Sequence, residues 1–542
     1  MENQGIHWAD QIAKEVEERV AREPDLQRIV KEKGYIVLDE KTPSGKIHIG
    51  SGRGWIIHDA IAKALRARGL KGRFILSADD FDPFDKMNAD LPPAYEKYMG
   101  MPFRDIPSPV EGYESFADYY FRQSTDKFKE FGIEAELDST ARHYIDGDFD
   151  RAIKKALDES AKIDAVYERI YGSAPKKLPF NPVCEKCGRI GTTRAISWDP
   201  EKEMVRYRCE ENLVKWAKGC GHEGERSPYK GGGKLPWKVE WAAKWPVFGV
   251  VCEWAGKDHF SHSGSREVSI AIADAVYDFP PPWPSTRKKT GKGYEFFNIG
   301  GKKMSTSQGR GIGFAESTDY APAEMLRYLL IATRPHAVID FDPVGKNDLI
   351  LLYERFDRTE RIYFGKEQPE NEHEVQKHRR IYELSNVGKV PSKMPPQVPF
   401  LSCSVVIQAA LGNIEKAISL LQKYGQIPQK LDAAGEAYIQ ERLRFAKHWI
   451  DTHADEQFRF TVQDKVAEGI VISEPVKKAL KELAKTLAEK DWEEQELFDA
   501  TYAIINRNNL SPRDFYTAAY RVLINKEKGP KLAGFILTIG KE

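Results

Sequence analysis

Two short stretches of this 542-residue chain carry residue types suited to phosphate chemistry. The first is Thr42-Pro43-Ser44-Gly45-Lys46-Ile47-His48-Ile49-Gly50-Ser51, which follows the apolar run Tyr35-Ile36-Val37-Leu38. It opens an amphipathic stretch with Ile57, Ile61 and Leu65 on one face. A helix that starts here offers unpaired backbone N–H groups to an anion. Gly45 and Gly50 let the backbone come close to a ligand, and His48 can donate to a phosphate oxygen. The second stretch, Gly300-Gly301-Lys302-Lys303-Met304-Ser305-Thr306-Ser307-Gln308-Gly309, sets two lysines and three hydroxyls between glycines. That composition suits a loop that closes on a polyphosphate, since nucleotidyl transfer depends mainly on positioning and charge neutralisation. Each stretch alone also reads as an ordinary glycine-rich loop. Together, in this order and on one interrupted parallel sheet, they point to a nucleotide site.

A third constellation is Cys184-x2-Cys187-Gly188, then Cys209, then Cys220-Gly221-His222. Cys-x-x-Cys-Gly presents two thiolates from one tight turn, and Cys220-Gly221 repeats its end. Cys209 and Cys220 therefore complete a tetrahedral four-thiolate zinc site, with His222 as the alternative fourth ligand. A closed site of this kind is structural. Cys252 and Cys403 sit alone in apolar stretches and read as core residues.

The elements that must hold these groups follow from periodicity. Residues 7–33 form a helical stretch with Ile12, Val16 and Val20 four apart. Strand 35–38, a helix from about 50 to 68 closed by Gly69, and strand 74–76 make a βαβ unit and hence a parallel sheet. The second strand ends in Asp79, Asp80 and Asp82. Residues 86–235 break the pattern and read as a long insertion. Strand character returns at 246–252, followed by Gly256-Lys257-Asp258-His259, a helix over 265–277 and a strand at 294–297. Beyond about residue 315 the period is helical, clearest at 323–331, 348–361 and 405–424, with a loop at 388–399.

Composition sets the outer bounds. There are 82 basic and 82 acidic residues, with a pI near 7.2. This excludes a uniformly basic nucleic-acid coat while allowing a positive face. A 41% hydrophobic share over this length excludes collagen, a wholly disordered chain and a small disulfide scaffold. No stretch reaches the ~20 apolar residues of a membrane helix. The first residues lack the pattern of a secretory signal, and the cysteine usage fits a reducing compartment. A cytoplasmic setting is the expectation.

His48-Ile49-Gly50-Ser51 resembles the "HIGH" signature of class I aminoacyl-tRNA synthetases, and Lys303-Met304-Ser305-Thr306-Ser307 resembles their "KMSKS" signature. Ser51 stands in place of the second histidine, and Thr306 in place of the second lysine. The surroundings resemble the lysine-type family specifically. The residues that carry this are Thr42-Pro43-Ser44-Gly45, Gly256-Lys257-Asp258-His259, Leu326-Arg327-Tyr328-Leu329, Tyr353-Glu354-Arg355-Phe356-Asp357-Arg358 and the closing Gly529-Pro530-Lys531-Leu532-Ala533-Gly534-Phe535-Ile536. The resemblance implies an α/β fold: a Rossmann-type parallel-sheet catalytic domain interrupted by a zinc-bearing insertion, then an all-α C-terminal region. The corresponding divisions are 1–85 and 236–315 for the catalytic halves, 86–235 for the insertion, 316–390 for a helical junction and 391–542 for an anticodon-binding domain.

The implied reaction is ATP-dependent ligation of L-lysine to tRNA(Lys) through a lysyl-adenylate, with Mg²⁺ accompanying ATP and structural Zn²⁺ in the insertion. His48 and Lys303 would be catalytic. Ser44, Gly45, His48, Gly50, Ser51, Gly256, Asp258, His259, Lys303, Met304, Ser305 and Ser307 would bind ATP. A lysine ammonium needs an acidic group in an otherwise apolar slot. Glu40, Asp79, Asp80 and Asp82 are candidates, with Glu40 and Asp79 preferred, Thr42 beside them, and Trp241, from the series Trp237, Trp241, Trp245, as a wall. Among the aromatics at the chain end, such as Tyr502, Phe515, Tyr516 and Tyr520, the residues do not single out a base contact. A monomer without a membrane partner is expected. The competing readings are a glutamate or cysteine synthetase, a cofactor-making nucleotidyltransferase, and a non-catalytic RNA-binding paralogue.

Overall fold

The computed structural model describes residues 7–285, 292–303, 311–344 and 346–540. In chain order the strands used below are β1 (Tyr35–Lys41), β2 (Gly72–Ala78), β3 (Ala135–Ser139), β4 (Thr193–Asp199), β5 (Met204–Cys209), β6 (Glu223–Arg226), β7 (Val250–Cys252) and β8 (Phe297–Ile299). A parallel sheet runs in the order β3-β2-β1-β7. Ile36, Val37 and Leu38 are all buried, the mark of a strand covered on both faces. Helix Ile49–Ala67 makes the crossover from β1 to β2, and helix Trp8–Arg22 packs on it through Ala9, Ile12, Val16 and Val20. The register sets Glu40 opposite Ser77 and Lys41 opposite Ala78, and the Asp79 N–H donates to the Lys41 carbonyl at 3.0 Å. The acidic ends of β1 and β2 therefore share the carboxyl edge of the sheet, where open α/β sheets bind ligands.

Several elements differ from the periodicity reading. The helical stretch 7–33 is two helices, Trp8–Arg22 and Pro24–Lys33, because Glu23 precedes a proline and leaves the helical region (φ −117°, ψ 104°). Strand β3 comes from inside 86–235, so that stretch supplies an edge of the parallel sheet as well as an insertion. Residues 246–248 belong to helix Trp237–Phe248, which carries Pro246 within it and ends at Gly249 (φ 77°); only Val250–Cys252 is strand. Tyr294 makes a single bridge to Gly256, and the strand predicted at 294–297 starts at Phe297. The helix predicted over 405–424 is two, Phe400–Ala409 and Ile414–Lys423, bent by 114°. Leu411 and Gly412 both take positive φ there, and the Asn413 side chain accepts from the Lys416 N–H to start the second helix.

The chain divides into two compact units. One comprises Met1–Thr318, Leu326–Phe341 and Glu372–Lys389; the other comprises Asp319–Met325, Asp342–Asn371 and Val390–Glu542. The second is helical among the described residues, and its C-terminal helices bury a core that includes Leu483, Leu497, Ile505, Phe515 and Phe535. No single helix among the described residues is long and apolar enough to cross a membrane.

Candidate active site

His48 occupies the N-cap of helix Ile49–Ala67. Two backbone hydrogen bonds join this turn to residues 312–314, Ile49 N–H to the Ile312 carbonyl at 3.0 Å and Phe314 N–H to the Ile47 carbonyl at 2.7 Å, and together they make His48 and Gly313 an antiparallel bridge. Gly52 makes the closeness possible, since a Cβ there would fall 2.3 Å from a Phe314 ring carbon. On the entry side, Lys302 and Lys303 pair antiparallel with Ile299 and Asn298 of β8. Gly301 N–H donates to the Asp340 carboxylate at 2.9 Å. The backbone thus enters the lysine–serine segment from β8, whose Phe297 lines the cleft described next, and returns onto the histidine turn. Met304, Ser305 and Ser307 lie outside the described residues. Arg53, in the first turns of the helix that His48 caps, ties that helix to the residues just before β8 and to residues 334–337. Its guanidinium donates to the carbonyls of Glu295, Phe296, Arg334, Pro335 and Ala337 at 2.6–3.2 Å.

A cleft of about 420 Å³ opens at the carboxyl edge of the sheet. Thr42, His48, Gly50 and Ser51 line it from the first turn, Glu40 and Asp79 from the strand ends, and Gly256, Asp258 and His259 from the segment after β7. Ser44 and Gly45 are outside this lining; Asn88 donates to the Ser44 carbonyl at 2.8 Å. Asp80 is also elsewhere, accepting from Ser139 Oγ at 2.6 Å and Ala141 N–H at 2.8 Å. Asp82 holds Lys234 and accepts from Thr42 Oγ1 at 3.1 Å.

The tryptophan stripe separates by depth. Trp245 is fully buried, Trp241 is 5% exposed and lines the cleft, and Trp237 is 52% exposed at its rim. Glu253 fixes the inner two, accepting from Trp241 Nε1 at 2.8 Å and Trp245 Nε1 at 2.6 Å, while Arg266 pairs with it at 2.7 Å. His259 stands edge-on to Trp241 at 5.5 Å, with Nδ1 2.8 Å from Ser265 Oγ. Burial lowers its pKa, which favours the neutral ring.

The acidic floor is not bare. The Lys244 ammonium lies against Asp79, 2.7 Å from Glu40 and 3.5 Å from Glu240. Lys234 reaches Asp82 and Glu240, the latter at 3.0 Å, and Tyr144 Oη donates to Glu240 at 2.7 Å. Burial drives the Glu40 carboxyl well up, opposed by Lys244. Burial acts the same way on Asp79, but Lys244 and Lys234 together bring it below the usual carboxylate range.

Sequence reasoning missed Lys244, Glu253, Asp39, Trp254 and Tyr294, of which the last four line the cleft. Asp39 lies 3.3 Å from His58 Nδ1. His58 Nε2 accepts the Trp254 N–H at 2.9 Å, which leaves its proton on Nδ1. A buried run of charged residues inside an apolar helix, Glu240 and Lys244 among three tryptophans, was the available signal.

In the insertion, β4, β5 and β6 form an antiparallel sheet that carries Cys209 at the end of β5. The Sγ atoms of Cys184, Cys187, Cys209 and Cys220 all lie within 4.8 Å of one another. Cys184 and Cys220 are 3.6 Å apart, and Cys187 and Cys209 3.7 Å. A tetrahedron with metal–sulfur bonds of about 2.3 Å has edges of about 3.8 Å, so the four thiols fit a zinc ion. His222 stands outside this set and contributes its carbonyl to Cys209 N–H at 2.8 Å.

The chain matches the family model described as tRNA synthetases class I (K) over residues 6–388. It is similar to the lysine–tRNA ligase of Methanocaldococcus jannaschii, at 34% identity over 99% of this chain and 98% of that one. It is also similar to the lysine–tRNA ligases of Methanosphaera stadtmanae, at 31% identity over 99% of this chain and 98% of that one, and Treponema pallidum, at 32% over 99% and 97%.

Proposed function

This chain belongs to the class I (K) tRNA synthetase family, and on that premise we propose that it ligates L-lysine to tRNA(Lys) by way of lysyl-adenylate. The observation that carries this reading is the convergence of three parts: an acidic cleft floor, the His48 turn, and a lysine–serine segment whose two ends meet β8 and that turn. The substrate carboxylate attacks the α-phosphorus of ATP in line and pyrophosphate leaves. The lysyl group then passes to a ribose hydroxyl of the 3′-terminal adenosine of tRNA, and AMP leaves. His48 and the N–H group at Gly50 stabilise charge on the α-phosphate, where fixed donors act without reorganisation, and Ser51, whose N–H donates to the His48 carbonyl at 2.9 Å, borders the same turn. Lys303 with Met304, Ser305 and Ser307 closes on the leaving phosphates, and Mg²⁺ enters with ATP. Gly256, Asp258 and His259 take the nucleoside, with Ser44 and Gly45 shaping the turn from outside the cleft.

Glu40 and Asp79 form the anionic end of the amino-acid slot, toward which the substrate ammonium points, Thr42 borders it, and Trp241 covers the aliphatic stem. Zn²⁺ held by Cys184, Cys187, Cys209 and Cys220 organises the insertion and takes no part in the chemistry. The helical unit reads tRNA. Of its aromatics, Phe515 is buried, while Tyr502 lies exposed and stacked with Phe498 at 6.4 Å.

Charging of unfractionated tRNA with each of the twenty amino acids tests the reading. Lysine alone is expected to be esterified; charging with glutamate or cysteine instead would overturn it. Metal analysis is expected to find one zinc per chain, lost in Cys209→Ser.

A further inference from the structure

Glu40 and Asp79 are the two acidic residues on the floor of the slot, and one buried cation lies behind both. Lys244 is 1% exposed and is not among the residues lining the cleft, yet its ammonium touches each of them. The two carboxylates are held unequally. Asp79 also accepts from Thr140 Oγ1 at 3.2 Å, and its backbone N–H is fixed to the Lys41 carbonyl at 3.0 Å. The side-chain partner shown for Glu40 is Lys244, and 15% of the Glu40 side chain remains exposed where it borders the cleft. Glu240, the third carboxylate near Lys244, is farther away at 3.5 Å and is closed off by Lys234 and Tyr144.

A buried carboxylate pair without a cation is costly, and a pair with two cations has no room for a third. With its carboxyl ionised, as an arriving ammonium would hold it, Glu40 together with Asp79 and Lys244 carries one net negative charge, since Lys234 is taken up by Asp82 and Glu240. One arriving ammonium balances it; a neutral side chain does not. Building on the lysine reading above, we propose that Lys244 is a positioning residue that sets the selectivity of the slot. Its ammonium neutralises Asp79 and leaves Glu40 as the carboxylate that meets the substrate.

The proposal turns on charge count, so compensation tests it. Lys244→Met keeps the length of the side chain but leaves two negative charges. It is expected to lower kcat/KM for lysine at least tenfold in tRNA-dependent ATP–pyrophosphate exchange, with the ATP KM within twofold of the unaltered enzyme. Lys244→Met/Asp79→Asn returns the floor to one negative charge and is expected to raise lysine kcat/KM at least fivefold above that of Lys244→Met. Coupled neighbours depart from additivity in this way only when they share an interaction. A double variant as poor as the single, or worse, overturns the proposal, because a packing role predicts accumulated damage. An unimpaired single variant also overturns it. Should Lys244→Met fail to fold, Lys244→Gln and Lys244→Gln/Asp79→Asn are compared instead: a double variant at least fivefold better than the single supports the assignment, and one no better refutes it. An unaltered enzyme that does not activate lysine would overturn the lysine reading, and this inference with it.

Discussion

Two buried ion clusters, one in each unit, show what closure does. In the helical unit, Arg442 meets Asp357 with two parallel hydrogen bonds of 2.7 and 2.8 Å and spends further donors on the Val398 carbonyl and Tyr438 Oη. It lies over the rings of Tyr353 and Tyr438. Arg442 hydrogen-bonds one carboxylate, Asp357, and that pair is closed, both side chains being buried. In the sheet unit, Lys244 and Lys234 face Glu40, Asp79, Asp82 and Glu240, so carboxylates outnumber ammoniums, and Glu40 and Asp79 border a cleft. A matched pair serves the fold; an unmatched one at a cavity wall has work left for a ligand.

The sharpest way to break this contrast is to open the closed cluster. Arg442→Met strands the Asp357 charge and is expected to cost about 3–5 kcal/mol in urea unfolding, with the lysine KM of the folded fraction unchanged. A loss of function with normal stability would erase the distinction. On the cleft side, His48→Ala is expected to remove about 2.7–4 kcal/mol of transition-state stabilisation, read as a 10²–10³-fold fall in pyrophosphate exchange with little change in the unfolding midpoint.

A third test exploits an unmatched acid in the helical unit. Burial, then Glu360 and Glu441, push Glu324 from 4.5 to about 7. Between those values the folded chain holds a proton that the unfolded chain has released. Stability from this group therefore falls as pH rises through that window and stays lower above it. Glu324→Gln is expected to stabilise the protein at pH 8 by up to about 3 kcal/mol and to do nothing measurable at pH 4, by thermal or urea melts. Equal effects at both pH values would refute the assignment. The smallest expected effect is that of Glu40→Gln: a rise in lysine KM of about tenfold, worth about 1.4 kcal/mol, with the ATP KM unmoved. An unchanged lysine KM would remove Glu40 from the slot.

Much of the site was readable from local spacing. The His48 turn follows a short apolar strand and opens a helix with its face marked by Ile57, Ile61 and Leu65, and a β-strand–turn–helix order places that turn at a sheet edge wherever it occurs. Cys184 and Cys187 share a hairpin, so their joint ligation is a local matter. The sequence also made the four-residue spacing of Trp237, Trp241 and Trp245 plain, but not their depths. Those depend on Glu253, just past β7, and Arg266, from helix Ser265–Ile272. Boundaries failed where a single residue outweighed the period: Pro24 split the first helix, and Leu411 with Gly412 split a later one.

What the chain determined alone, then, was chemistry whose parts are neighbours: phosphate donors on one turn, thiolates on one knuckle, a helical C-terminal half. What only the tertiary structure decided was which acids are already spoken for. Glu40, Asp79 and Lys244 come from β1, the residue just past β2 and a helix widely separated in sequence, and the parallel register of β1 with β2 together with helix Trp237–Phe248 brings them within reach. Charge in a buried site is a property of all the groups that surround it, and no stretch of sequence contains that sum.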